Sequence, residues 1–117
     1  GSAEWIADEM IRAGKIFDAF VSLLCHPIWS VRLGAMVVIE TLAAESPALA
    51  ELLCPMLTEK FSDQETTVQG DILYALGETG SETAALWIRE QTGYFENPEL
   101  KEAAEDALET IAEKQRQ

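Results

Sequence analysis

Apolar residues recur along this chain at intervals of three and four, the spacing of one helix face, and no stretch carries a convincing strand pattern. Trp5, Ile6, Met10 and Ile11, set against Glu4, Asp8 and Glu9, predict a short amphipathic helix over 3–11 that ends before Gly14. Ile16, Phe17, Phe20, Val21 and Leu24 predict a second over 16–25, closed by Pro27 because the residue before a proline is biased out of the helical region. Trp29 or Ser30 then starts a long helix to about Ala44, and Ser46-Pro47 supplies a cap and first turn for another, from Pro47 to about Phe61. After Ser62-Asp63 a helix runs from about Glu65 to Leu76 and closes at Gly77-Glu-Thr-Gly80. Ser81 caps the next, to about Gln91, and Asn97-Pro98 opens the last, to about Lys114. The prediction is all-α, with seven helices whose connections of about two to five residues make consecutive helices antiparallel neighbours.

Three of these segments fall into register: SVRLGAMVVIETL from Ser30, TVQGDILYALGET from Thr67 and ELKEAAEDALETI from Glu99. Val31, Val68 and Leu100 coincide, as do Val38, Ala75 and Ala107, and then Ile39, Leu76 and Leu108. Each segment follows a shorter apolar helix (IFDAFVSLL, ALAELLCPML, AALWI), so the offsets of about 37 and 32 residues mark a repeated helix pair. One such pair cannot bury its apolar face alone, and its neighbours must stack on it. The expected architecture is a short α-solenoid of about three helix pairs, with the helix over 3–11 covering one end. Small Ala35, Ala75, Ala104 and Ala107 permit close helix approach without losing helix propensity.

Pro27, Val31, Arg32, Ala35 and Ile39 give the first unit a form that resembles the HEAT-repeat family, whose second helix opens with a loop aspartate or proline, then V-R, then small and apolar residues. The second unit matches at Asp63, Val68, Ala75, Leu76 and Gly77, with Gln69 in place of the arginine. The third matches at Asn97-Pro98, Leu100, Ala104, Ala107, Leu108 and Ile111, with Lys101 in that place. The resemblance spans roughly residues 16–112 and extends to short bacterial members of the family. It implies an armadillo-like helical scaffold that offers a docking surface; the family also has relatives fused to enzymes or acting on bilin cofactors, and for this chain no cofactor is expected. It also implies a structural role for Arg32, whose planar guanidinium would bridge carboxylates or helix-terminal carbonyls of adjoining repeats. The arrangement is similar as well to the helical extension of some bacterial thioredoxin-like proteins. The enzymatic alternative that this implies is an accessory domain of an oxidoreductase whose reactive cysteines lie elsewhere.

Composition narrows the partner. A length of 117 residues suits a single domain over 3–117, with Gly1 and Ser2 reading as the remnant of a cleaved expression tag. Eight basic against twenty-one acidic residues give a net charge of −13, which opposes nucleic-acid phosphates and anionic membrane surfaces and favours a basic or neutral protein or neighbouring domain. The 48% apolar fraction is too high for a disordered acidic tail. No apolar run reaches the roughly 20 residues of a membrane span, and a cytoplasmic location is expected. Cys25 and Cys54 stand in apolar helical segments without CxxC spacing, so both are expected to be buried and reduced.

Candidate chemistry is sparse. His26 is the only histidine and has no nucleophile-elbow motif or cysteine neighbour to work with; a capping contact at a helix end accounts for it. The acidic run Glu99, Glu102, Glu105, Asp106, Glu109 and Glu113 reads as a solvated helix face rather than a calcium loop, and Gly77 and Gly80 read as turn glycines. Binding is the stronger expectation. In register with Glu105 and Asp106 the earlier segments carry Met36 and Val37, then Leu73 and Tyr74. If the charged pair marks the outward side, at least part of those four forms an apolar surface beside Trp29, with Arg32, Gln69 and Asp71 at its rim; the alternative is that the third unit is atypical because it caps the stack and the four are buried between neighbours. The expected function is a non-catalytic docking scaffold. A small-molecule site between helices, using Trp87, Tyr94 and Phe95, is the other alternative.

Overall fold

The computed structural model describes residues 2–117, which are helical with no strand among them. The helices are α1 (Ser2–Ala13), α2 (Asp18–Leu24), α3 (Trp29–Glu45), α4 (Pro47–Glu51), α5 (Leu53–Phe61), α6 (Thr66–Glu78), α7 (Glu82–Thr92) and α8 (Pro98–Gln115). Gly1, half of the expected tag remnant, lies outside the described residues; Ser2 is the first residue of α1. Local chemistry accounts for most boundaries. α1 closes at Gly14, whose φ of 70° lets its own N–H and that of Lys15 return to the carbonyls of Ile11 and Met10. Ser81 Oγ accepts the Thr83 N–H at 3.1 Å to start α7, and Asn97 Oδ1 accepts the Glu99 N–H at 2.8 Å to start α8.

One expected helix is divided. The apolar stretch from Pro47 to Phe61 breaks at Leu52 into α4 and α5, because Pro55 has no N–H to donate to the Glu51 carbonyl four residues back and its ring crowds that carbonyl. Counted as one bent rod, α4–α5 leaves seven helical rods among the described residues.

The rods form two rows. α1, α3, α6 and α8 lie side by side in that order, while α2, α5 and α7 form the second row. The rows meet through α2 on α3, α5 on α6 and α7 on α8, and the buried side chains of both make one core. The molecule is 39 × 34 × 21 Å, and its thinnest dimension equals about two helix diameters. The radius of gyration, 13.3 Å, is that of a compact chain of this length.

Within the first row the register of the three long segments corresponds to edges. Leu33, Met36 and Glu40 of α3 share a cleft with Asp71 and Tyr74 of α6. One helix further on, Gly70 and Tyr74 of α6 share a cleft with Ala103, Asp106, Ala107 and Thr110 of α8. The positions of α8 in register with Leu33, Met36 and Glu40 are Glu102, Glu105 and Glu109, all exposed. Gly77, expected in a turn, is instead buried within α6, where an added Cβ would stand 3.0 Å from the Ala107 Cα. It is a packing glycine that lets α8 approach; Gly80, with φ 66°, is the turn glycine.

Candidate functional site

The start of α3 is held by Arg32, whose side chain is buried. Its Nε donates to Asp71 Oδ2 at 2.7 Å, and Nη1 donates to the carbonyls of His26 at 2.8 Å and Pro27 at 3.2 Å. One guanidinium thus ties the α2–α3 turn to α3 and to α6, satisfying two backbone carbonyls of that turn. His26 completes the turn: its Nδ1 accepts the Ile28 N–H at 3.0 Å. In the same register, Gln69 of α6 donates from Nε2 to the Phe61 carbonyl at the end of α5, at 3.0 Å. Lys101, the third member, is exposed. The histidine and arginine that would attract a catalytic reading are therefore engaged with backbone and with a structural carboxylate.

The expected apolar surface is partly inside the protein. Met36 and Leu73 are buried, at 6% and 0% exposure, whereas Val37 and Tyr74 are exposed at 42% and 46% and Trp29 at 60%. The division between buried and exposed members has a physical origin. Among the described residues no helix packs on the edge that Glu105 marks, but the same edge of α3 and of α6 has a following helix against it. Asp71 and Gln69 are half-buried and already engaged, with Arg32 and with the end of α5. Leu33, not anticipated, is 42% exposed and stands four residues from both Trp29 and Val37. Together the three form a ridge along the outer side of α3, a spacing legible as a second apolar stripe. Helices α1, α2, α4 and α6 pack on the remainder of α3. Beside the ridge, Tyr74 Oη donates to Glu40 Oε1 at 2.6 Å, and this hydrogen bond, then burial, pushes the phenol's pKa above its ordinary value.

A groove runs along the other side of the ridge, between α1 and α3. Its lining includes Ala3, Ile6, Leu23, Val31, Gly34 and Val37, and its volume is about 390 Å³. Gly34 lies in the middle of α3, yet a Cβ added there would meet nothing within 4 Å. Among the described residues nothing therefore requires glycine at this position.

The remaining candidates are accounted for by packing. Cys54 is buried and Cys25 half-buried, both thiols are free, and burial pushes both up in pKa, away from nucleophilic reactivity. Trp87 and Phe95 close on Phe61, with ring centroids at 5.1 and 5.7 Å, which joins the long α7–α8 connection to α5; Tyr94 extends into solvent. No group of three or more His, Cys, Asp or Glu side chains is placed to hold a metal ion among the described residues, and no helix there is long and apolar enough to cross a membrane. Compared with family models, curated proteins and solved structures, the chain gives no match.

Proposed function

We propose that this chain is a non-catalytic docking module built as a short HEAT-like solenoid of about three helix pairs, α2–α3, α4–α5 with α6, and α7–α8, with α1 covering the first. Two rows of helices, a shared register and a carbonyl-capping side chain at the same place in the first two long helices support that architecture. The observation that carries the function is the Trp29, Leu33 and Val37 ridge. A helix that is apolar nearly all round is expected to be covered all round, and α3 has one apolar side left uncovered. With a net charge of −13, the partner is a protein or a neighbouring domain rather than nucleic acid.

The test places a photo-crosslinking residue at position 33 and, as a control, at Leu86, an exposed leucine on α7. In lysate of the source cells, defined adducts from position 33 that disappear when Trp29 and Val37 are made polar, with the melting temperature unchanged, support docking through the ridge. Equal adducts from both positions would remove it.

A further inference from the structure

Resting on the docking reading, we propose that the groove between α1 and α3 receives an amphipathic helix of a partner protein, its apolar stripe seated over Gly34 and its flanks carrying lysine or arginine. Three independent observations lead there. The first is the groove's chemistry: apart from Ser2 it is lined by apolar side chains and the glycine, so it offers almost nothing to the backbone of an extended segment. A docked strand would lose water from its N–H and C=O groups without gaining partners, whereas a helix satisfies its own.

The second is Gly34. Glycine in a helix interior is less stable than alanine, and here no neighbour among the described residues forbids a Cβ. Its absence leaves a flat seat between Val31 and Val37, on which a second helix can approach closely. Gly77 shows the same device already in use inside the molecule, where α8 lies against it.

The third is charge. The two walls of the groove, α1 and α3, carry Glu4, Asp8, Glu9, Glu40 and Glu45, with Glu40 turned toward α6, against only two cations. Both cations are engaged, Arg12 with Glu9 at 3.1 Å and Arg32 with Asp71 at 2.7 Å. Between Lys15 and Lys60, Arg32 is the sole lysine or arginine in the sequence. An apolar groove in so acidic a region is complementary to an apolar stripe flanked by positive charge, and it disfavours a second copy of this chain, which would bring another −13.

The probe is a labelled synthetic peptide of about 18 residues, roughly 27 Å as a helix, with leucine and alanine on one face and lysine on the other. Fluorescence anisotropy is expected to show binding that weakens with added salt. Gly34→Leu, which fills the groove without changing charge, should weaken binding by about tenfold or more, equivalent to at least ~1.4 kcal/mol. Gly70→Leu, at another helix glycine where an added Cβ meets nothing within 4 Å, should bind as the unmodified protein does. A peptide of the same composition with the stripe scrambled should bind at least about tenfold more weakly.

Equal binding by the Gly34→Leu protein, or by the scrambled peptide, overturns the proposal, since either result means that charge alone attracts the probe. If Gly34→Leu melts differently, a spin label on the peptide replaces it: broadening confined to α1 and α3 amides supports the site, and uniform broadening overturns it. Concentration-dependent dimerisation that Gly34→Leu abolishes overturns it in favour of self-association. Crosslinking from position 33 in lysate without any binding of the peptide would reject the basic helix while leaving the docking module standing; loss of both would reject both.

Discussion

Helix α6 meets its two neighbours in the first row by opposite means. Toward α3 it presents Asp71 and Tyr74, which reach across to Arg32 and Glu40, so that junction is held by directional polar contacts at its outer edge. Toward α8 it presents Gly77, which admits the Ala107 backbone, so that junction is held by close approach of small residues. Directional contacts fix a relative position but depend on desolvated partners, whereas close packing depends on the absence of one methyl group. The two junctions should therefore fail in different ways.

The largest effect is expected at the polar junction. Asp71→Ala leaves the Arg32 guanidinium buried with only two carbonyls for company, and should cost about 3–5 kcal/mol in urea unfolding. Arg32→Met removes the buried charge itself and should cost less. Equal losses would mean that the guanidinium is hydrated after Asp71 is removed. At the packed junction, Gly77→Ala should lower stability by about 1–3 kcal/mol, because the atom it meets is backbone and cannot rotate away.

Gly34→Ala sharpens the comparison by reversing the sign. The same substitution in the same row, where nothing lies within 4 Å, should raise stability by about 0.5–1 kcal/mol, visible as a higher melting temperature. The smallest effect belongs to the exposed Tyr74–Glu40 contact, for which Tyr74→Phe should lose about 0.5 kcal/mol at neutral pH. Because the folded-state pKa of Tyr74 is raised, this contribution is fully present below the ordinary value of 10.0 and fades as pH rises beyond it. Melting curves of the two proteins should thus converge above pH 10.0, and a gap that widens there would contradict the Glu40 contact.

Helix positions were largely legible because caps and stops are local. Ser81, Asn97-Pro98 and Gly14 each act within a few residues of themselves. Pro55 was equally local, but the apolar rhythm runs through it and conceals the break between α4 and α5. The structural role of Arg32 is an expectation from the HEAT-repeat resemblance of the first unit; its partner Asp71, 39 positions away, is not identifiable from spacing. The candidate surface suffered most, because register alone does not say whether a further helix follows. Comparison with Glu105, which has no such neighbour among the described residues, places Met36 and Leu73 outside, whereas packing puts them in the core. Leu33 was missed although it lies one turn from Trp29 and one from Val37. The third of the three aligned segments is the least suitable template for the exposure of the other two.

The glutamates along the free edge of α8 have a consequence for assembly. A row of parallel edges is open to growth, since any surface that accepts α8 behind α6 has the geometry to accept another helix from another molecule, head to tail and without closure. Glu102, Glu105 and Glu109 occupy the positions that would have to be apolar or small for that to happen, as Leu33 and Met36 are in α3 and Gly70, Leu73 and Gly77 in α6. Burying three carboxylates against an acidic neighbour is strongly unfavourable. Against another acidic copy of this chain, the exposed edge of α8 is therefore a poor stacking surface.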